Sequence, residues 1–252
     1  MSASKLIVAT LACLVVGLAN APSVHAQSLS EAQRQELQTL IDSPNRSEDL
    51  RARNQYRNPL ETLNFFEVRP ELTVVEIWPG GQGGWYRSIL EPYIDGRGTY
   101  IAVRDNSGFP EPVAEVRDGS ADRVLVFRAH GFMIYDHPAQ DYYHALFRML
   151  KPGGLFGIVD HRGDEAVPQD PEGENGYVNQ SHVIMLAENA GFELIAQAEV
   201  NANSADTKDH PDGVYSLPPT LRGSFLNRGL RNRMLDIGES DRMTLKFVKP
   251  DR

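Results

Sequence analysis

A doubly wound α/β fold with a mostly parallel sheet is the architecture that this sequence predicts. The first observation is the stretch 74–86, where an apolar, β-branched run meets a glycine-dense turn and then residues suited to a helix start. Strand, glycine-rich turn and helix open such folds, because glycines let the backbone approach a ligand and a helix N-terminus favours electron-rich groups. The second observation is that further apolar strands alternate with helical patterns, which is typical of a parallel sheet covered by helices on both faces.

Residues 1–26 have the pattern of a secretory signal peptide. Lys5 supplies the positive start, residues 6–18 form an apolar run, and Val24-His25-Ala26 offers a small-residue cleavage site. An uncleaved membrane anchor is the alternative, although this run is short for a membrane span. Because cleavage also removes Cys13, the single cysteine, we expect a periplasmic or secreted protein without disulfides, thiol nucleophiles or zinc–thiolate sites.

The mature chain predicted by this cleavage is one acidic domain. Removing 26 of the 252 residues leaves 226, and losing Lys5 changes the formal net charge from −9 to −10. This length suits a single domain with a substantial core, and the negative charge argues against general binding to nucleic acid or anionic membranes. We expect a small-molecule partner, no nucleic acid and no stable membrane insertion after cleavage, whereas the oligomeric state stays open.

Residues 27–70 predict a helical flank, followed by the sheet domain at 71–252. Ser30 and Gln33 fit a capping box, and Asn58 followed by Pro59 marks a second helix start with Asn58 as its cap. The predicted strands are 72–77, 99–103, 124–127, 155–160, 193–200 and 241–248, and helices are predicted from Trp85, at 137–150 and at 179–190.

Three connections are informative. Residues 104–123 are too short and too rich in proline to supply comfortably a further helix and strand. The last two strands, with no obvious helix between them, are predicted to pair antiparallel at the sheet edge. Residues 201–222 form a long polar loop, and such loops are often functional. Its charged part, Asp206 to His210, is either a solvated loop, a lid over the site or a metal-binding segment.

The order of these parts resembles the class I S-adenosylmethionine-dependent methyltransferases, which have a Rossmann-like fold. The matching pieces are residues 74–86, Asp118-Gly119-Ser120-Ala121-Asp122-Arg123-Val124, Leu150-Lys151-Pro152-Gly153-Gly154 and Gly191-Phe192-Glu193. More narrowly, residues 58–250 resemble a family of exported predicted methyltransferases. The motifs of that resemblance are Glu76-Ile77-Trp78-Pro79-Gly80-Gly81, Val159-Asp160-His161-Arg162, Asn201-Ala202-Asn203, residues 206–211, residues 217–220 and Gly238-Glu239-Ser240-Asp241-Arg242-Met243.

The resemblance implies S-adenosylmethionine as the cofactor. Its binding residues would be Glu76, Gly80, Gly81, Gly83 and Gly84 in the first turn, with Asp105 standing in for the acid that binds ribose hydroxyls. For Glu76, bracing the turn is the alternative, and the glycines equally suit a tight turn. One departure from the general class I pattern is Trp78, which stands where that pattern has its first glycine. Its indole would crowd the methionine end of the cofactor or reshape the site for another ligand.

The catalytic candidates follow the fourth and third predicted strands. A histidine at a strand's carboxyl end beside a carboxylate, as in Asp160-His161, can act as a general base. Because adjacent strand residues point to opposite faces, a structural pair is equally compatible with the sequence. His130 is a second candidate base. Arg128, Arg162 and Arg222 are candidates for binding an anionic substrate, or else ion-pair residues, and Trp78, Trp85 and Tyr86 either stack on a flat ligand or pack over the sheet edge.

The sequence is therefore compatible with three functions. The leading hypothesis is methyl transfer to an unknown small molecule outside the cytoplasm. The alternative is a methyltransferase-like scaffold that binds another periplasmic small molecule, which the altered turn, the shortened middle and the compartment favour. The third, metal-assisted hydrolysis by His161, His210 and nearby carboxylates, rests on residue types alone.

Overall fold

The computed structural model describes residues 28–80, 84–128, 131–132 and 137–251. A six-stranded sheet runs through the protein in the order β2-β1-β3-β4-β6-β5. The strands are β1 (Thr73–Ile77), β2 (Thr99–Val103), β3 (Ala121–Phe127), β4 (Leu150–His161), β5 (Glu193–Ala198) and β6 (Arg242–Val248). The signal segment predicted at 1–26 lies outside the described residues.

Strand direction confirms the predicted fold class. β1 pairs in parallel with β2 and β3, and β3 pairs in parallel with β4. β6 is antiparallel to both of its neighbours, β4 and β5. The predicted antiparallel pairing of the last two strands at the sheet edge is therefore confirmed, and this is a mostly parallel, doubly wound α/β sheet.

Helices cover both faces of the sheet. They are α1 (Glu31–Ile41), α2 (Glu48–Ala52), α3 (Asn54–Arg57), α4 (Pro59–Phe65), α5 (Arg87–Ile94), α6 (Ala139–Met149), α7 (Gln180–Asn189) and α8 (Arg228–Ile237), with a 3₁₀ helix at Gly213–Ser216. One face carries a core that includes residues of α6 and α7, and the other face packs against α1, α4 and α5. Within β1, Val75 and Ile77 belong to the first core and Val74 to the second, as alternation along a strand requires.

In residues 28–70, two helix starts lie where local signals predict them. Ser30 caps α1 and forms the predicted capping box with Gln33, and Pro59 begins α4. The prediction that Asn58 caps α4 with its side chain is wrong. Asn58 has a left-handed backbone (φ 36°), and its amide donates instead to the carbonyl of Val200 at 2.6 Å. A long-range partner thus replaces the local one.

Two connections differ in how well the sequence predicted them. Residues 104–120, between β2 and β3, contain no helix or strand, as predicted.

By contrast, α8 lies where no helix was predicted, between β5 and β6. Leu230, Met234 and Ile237 recur at helical spacing along α8, and Asn227 caps its start, so the sequence carries local helix signals that the prediction overlooked. Within the described ranges, no helix is both long and apolar enough to cross a membrane.

Candidate active site

The carboxyl ends of β1 to β4 meet at one edge of the sheet, where ligands bind in open α/β folds. β6 runs the opposite way, and its first residue, Arg242, lies in register with His161 at the end of β4. The start of β6 therefore belongs to the same edge.

The turn after β1 exposes its backbone to solvent at Gly80. Gly80 is exposed, with φ +90°, and a Cβ placed on it would lie 3.5 Å from Nη2 of Arg128. Gly84 is enclosed by contrast, because a Cβ there would meet Pro79 at 2.8 Å. Gly84 is thus needed for the turn, whereas Gly80 presents bare backbone at the mouth of the site. The other two predicted turn glycines, Gly81 and Gly83, lie outside the described residues.

Trp78 takes the left-handed conformation that its position in the turn demands, with φ +50°. Its backbone N–H donates to the carbonyl of Val103 at 2.8 Å, and its indole packs edge-on against Phe109, Phe132 and Tyr142. The ring joins the core on one face of the sheet. Aromatic packing therefore holds the ring in this core, and its predicted effect on the methionine end of a cofactor stays a prediction.

Glu76 is buried in the sheet, with 1% of its surface exposed. Its carboxylate accepts a 2.6 Å hydrogen bond from the hydroxyl of Tyr100 on β2. Burial raises the pKa of Glu76 to about 7, although the hydrogen bond from Tyr100 acts in the opposite direction. This bond joins β1 to β2, whereas bracing of the turn and direct contact with a cofactor both stay predictions. Asp105, by contrast, is exposed just beyond the end of β2, beside the strand that carries the turn.

Asp160 and His161 do not form a side-chain pair. The buried Asp160 carboxylate accepts from the backbone N–H of His161 at 2.8 Å, while Nδ1 of His161 is hydrogen-bonded to Oγ of Ser240. The two side chains leave β4 on opposite faces, as strand alternation predicts. His161 shares its face with Arg242, its register partner. His130, the second candidate base, lies outside the described residues.

An arginine cluster surrounds one buried carboxylate at this edge. Glu239, 2% exposed, accepts from Nε of Arg53 at 2.5 Å, from Nε of Arg57 at 3.1 Å, and from Arg242. Burial alone would raise the pKa of Glu239, but Arg242, Arg57 and Arg53 outweigh it and hold that pKa at about 2. Glu239 is therefore ionised and gathers three guanidinium groups from distant parts of the chain.

A small cleft opens beside this cluster. It is lined by Arg57, Tyr86, Phe127, Arg128, Val159 and Arg242. Tyr86 stacks on Phe127 with ring centroids 3.6 Å apart, and its hydroxyl donates to the carbonyl of Arg57 at 3.2 Å. The cleft therefore combines aromatic surface with guanidinium groups.

The sequence predicts only part of this cleft. It indicates Arg128 as a candidate for anion binding but does not distinguish Arg57 and Arg242 from other arginines. Arg242 and Glu239 both lie in the motif 238–243 that carried the family resemblance, so that motif is the signal that could have found them. Arg57 has no comparable signal in the sequence.

The other predicted binding residues are engaged elsewhere. Arg162 pairs with Asp241 and Glu199, and Arg222 lies over the ring of Tyr215 at 4.4 Å. The guanidiniums of Arg46 and Arg57 both lie over the ring of Trp85, at 4.9 and 4.8 Å from its centroid. The indole N–H of Trp85 donates to a backbone carbonyl. For Trp85 and Tyr86, packing over the sheet edge is therefore the arrangement observed.

The charged loop after β5 is packed against the protein rather than solvated. Its buried Asp206 accepts from the hydroxyl of Tyr177 at 2.8 Å, from Nε2 of His210 at 2.8 Å and from the backbone N–H of Asp241 at 2.8 Å. Across the part of the chain that the structure describes, no group of three or more His, Cys, Asp or Glu residues is placed to hold a metal ion. The hydrolytic hypothesis therefore gains no geometric support there.

A second, larger cleft lies near this loop. Its lining residues are Gly163, Asp164, Val167, Pro168, Gln169, Asp170, Asn175, Tyr177, Asn179 and Lys208. Lys208 pairs with Asp241 at 3.1 Å, so its charge is already balanced within the protein.

Comparison with known proteins adds a sequence relative. The chain is 31% identical over 121 residues to the sterol 24-C-methyltransferase erg6 of Aspergillus fumigatus. This chain is similar to a methyltransferase. The match covers 43% of this chain but only 29% of the relative, so the activity and substrate of the whole relative do not follow from it. No protein-family model matches the chain.

Solved structures with related architecture are distant. They include a SAM-dependent methyltransferase from Aquifex aeolicus, 18% identical with a TM-score of 0.46, covering 67% of this chain and 93% of that chain. Another is a geranyl diphosphate C-methyltransferase from Streptomyces coelicolor, 12% identical with a TM-score of 0.49, covering 84% of this chain and 87% of that chain. At these scores the likeness carries no argument, and the fold class rests on the strand order itself.

Proposed function

We propose that this protein is an S-adenosylmethionine-dependent methyltransferase that acts on a small molecule outside the cytoplasm. The observation that carries the proposal is the turn between β1 and α5. Gly80 there is exposed at φ +90°, and bare backbone of this kind lets a ligand approach closely. The similarity to a methyltransferase over 121 residues supports the same reaction.

The described residues fit this cofactor at two places. Gly80 would leave room at the turn, and the exposed Asp105 after β2 would accept hydrogen bonds from ribose hydroxyls. Because β1 and β2 are parallel neighbours, both residues lie at the carboxyl edge of the sheet. Glu76 would support them from below, by holding β1 to β2 through Tyr100.

The chemistry divides between cofactor and protein. When bound, S-adenosylmethionine supplies an electrophilic methyl group. The protein would align the acceptor with that group, which lowers the entropic part of the barrier. For an oxygen or nitrogen acceptor, His161 would take the proton, with Ser240 holding its ring through Nδ1. Asp160 would act indirectly, since its carboxylate binds the backbone N–H of His161.

The first test is calorimetric titration of the purified protein with S-adenosylmethionine and S-adenosylhomocysteine. We expect micromolar dissociation constants, and we expect Asp105→Asn to weaken binding about tenfold, the loss typical of a hydrogen bond to a charged group. Asp95→Asn is the matched control, because Asp95 is also exposed but precedes β2 at the opposite end of that strand.

The opposite result is equally informative. If the folded protein binds neither compound at millimolar concentration, methyl transfer is excluded as the function. The alternative, a scaffold that binds another small molecule, would then replace it, and the next step would be to identify compounds that copurify with the protein.

The location outside the cytoplasm has its own test. The full chain, carrying a C-terminal tag, is expressed in a Gram-negative host, and the N-terminus of the periplasmic protein is determined by mass spectrometry. We expect it at Gln27, and we expect Ala26→Phe to retain the precursor, because cleavage requires a small residue there. An intact N-terminus on a cytoplasmic product would contradict export.

A further inference from the structure

The arginine cluster at the sheet edge carries more positive charge than the nearby acids balance. Arg53, Arg57 and Arg242 bind Glu239, and the charge of Glu239 also acts on Arg128. Asp160 and Glu76 also act on Arg128. Four guanidiniums against these three carboxylates leave one positive charge in excess.

Hydrogen-bond donors in this cluster are also unsatisfied. Nη2 of Arg57, Nε of Arg242 and Nη2 of Arg53 are buried, and among the described residues none of these atoms has a hydrogen-bond partner. The side chains of Arg57 and Arg242 are each only 5% exposed. Leaving charged donors buried and unpaired is costly, and an oxyanion is the group that satisfies guanidinium donors best.

The cleft has the position and the lining for such a group. Arg57, Arg128 and Arg242 all line it, so three guanidinium-bearing side chains surround one small opening. Arg128 brings the cleft to the turn after β1, since its Nη2 lies 3.5 Å from where a Cβ on Gly80 would be. Although part of Arg128 remains exposed, enclosure by neighbouring atoms lowers its pKa, as do Arg242 and Arg53.

We propose that this cleft binds an oxyanion, a carboxylate or a phosphate, carried by the methyl acceptor. The assignment of the oxyanion to a methyl acceptor rests on the proposed function, whereas the oxyanion site itself rests on the arginines. Anchoring one end of the acceptor here would place the rest of it beside His161, which shares a sheet face with Arg242.

The strands that line the cleft favour the acceptor over the predicted ribose-binding end of the cofactor, although Arg128 also reaches the turn after β1. Phe127, Val159 and Arg242 bring β3, β4 and β6 to the cleft, and Arg57 and Tyr86 come from the helical flank and the approach to α5. The predicted cofactor residues Glu76 and Asp105 belong to β1 and the end of β2, on the other half of the sheet order.

The test uses inorganic phosphate as the probe, titrated calorimetrically into the full protein at constant ionic strength, with chloride as the reference salt. We expect saturable phosphate binding in the wild type. Arg128→Gln should weaken it at least tenfold, because a charge-assisted partner is removed. Arg222→Gln is the matched control and should change the dissociation constant less than twofold, since Arg222 is an exposed arginine outside the cleft.

A second titration separates acceptor from cofactor. Phosphate should bind protein saturated with S-adenosylhomocysteine within threefold of its affinity for the free protein, and Arg128→Gln should leave the affinity for S-adenosylhomocysteine unchanged. If instead phosphate competes with S-adenosylhomocysteine, and Arg128→Gln weakens that compound but not methylthioadenosine, the cleft holds the cofactor's own carboxylate. That result overturns the proposal.

The remaining outcomes are also decisive. Absence of saturable phosphate binding by the folded wild type, or equal loss in Arg128→Gln and Arg222→Gln, would show that there is no oxyanion site in this cleft. If phosphate binds as expected but S-adenosylhomocysteine does not bind at all, the oxyanion site stands. Its assignment to a methyl acceptor is then overturned together with the proposed function.

Discussion

Tyr100 on β2 donates a 2.6 Å hydrogen bond to the carboxylate of Glu76 on the neighbouring strand β1. The bond links the two strands directly beneath the turn that would receive the cofactor. Because Glu76 is almost completely buried, this link makes its protonation state matter for stability as well as for geometry.

We predict that Glu76→Gln stabilises the protein increasingly as pH rises. Burial raises the pKa of Glu76 from 4.5 to about 7, so the folded state favours the protonated carboxyl. Its contribution to stability is fully present below pH 4.5 and is lost as pH rises through 7. Between pH 4.5 and 8 the free energy of unfolding of the variant should rise relative to wild type by roughly 3 kcal/mol.

Urea unfolding across this pH range measures the difference. Glu115→Gln provides the control, because Glu115 is exposed and its variant should follow the wild-type profile. A Glu76→Gln profile parallel to that of the wild type would contradict the assigned burial effect.

Glu239→Gln should destabilise the protein by about 3–5 kcal/mol, the usual cost of breaking a buried ion pair. The substitution leaves Arg53, Arg57 and Arg242 without their shared carboxylate. Since the pKa of Glu239 is lowered from 4.5 to about 2, the contribution of the wild-type group is present above pH 4.5 and is lost as pH falls through 2. Denaturant unfolding at neutral pH tests the magnitude.

Glu199→Gln is the matched control for Glu239. Glu199 also binds an arginine, Arg162, but its side chain is 66% exposed, and exposed pairs contribute less than about 1 kcal/mol. Similar losses in the two variants would mean that the cluster around Glu239 is no more important than a surface pair.

Gly84→Ala should cost about 2–4 kcal/mol of stability, from two separable causes. A positive φ of +77° strains any residue with a Cβ, and that Cβ would also lie 2.8 Å from Cβ and the carbonyl oxygen of Pro79. Gly96→Ala isolates the first cause, because Gly96 has φ +71° but open space around it, and should cost roughly 1 kcal/mol. Thermal unfolding of both variants gives the comparison, and equal costs would mean that the turn accommodates the extra atom.

Asp206→Ala should both destabilise the protein and release the loop after β5. Asp206 accepts hydrogen bonds from Tyr177, His210, Lys208 and Asp241, and leaving such buried donors unpaired costs about 1–3 kcal/mol or more. Limited proteolysis should cut the variant within residues 201–222 faster than the wild type. Asp209→Ala changes an exposed residue of the same loop and should leave the cleavage rate unchanged. Equal protection of Asp206→Ala and the wild type would argue against this packing role.

Local signals in the sequence predicted much of the fold. The capping box of Ser30 and Gln33, the helix start at Pro59 and the absence of helix or strand in residues 104–120 all depend on residues within a few positions of one another. These signals work because hydrogen bonds at helix ends and the geometry of proline act over one turn of backbone. α8 was not predicted, although Leu230, Met234 and Ile237 recur at helical spacing and Asn227 caps its start.

The candidate site could be predicted only in outline. Strand alternation indicates that the side chains of Asp160 and His161 need not touch. It does not predict Ser240 as the hydrogen-bond partner of His161, because 79 positions separate His161 from Ser240. In the same way, Trp78 was recognised as unusual in the glycine turn, yet the aromatic pocket that holds its ring is formed by residues far along the chain.

The sequence by itself determined the doubly wound α/β class, the glycine-rich turn and the strand ends at which a ligand would bind, since these follow from short-range periodicity and backbone preference. Only the tertiary structure decided which charges meet. Insertion of β6 between β4 and β5 brings Arg242 and Glu239 to the edge where β3 ends, and packing of the helical flank adds Arg53 and Arg57. Sheet order and register determine which charged residues come into contact. Both depend on burial of the whole core rather than on neighbouring residues.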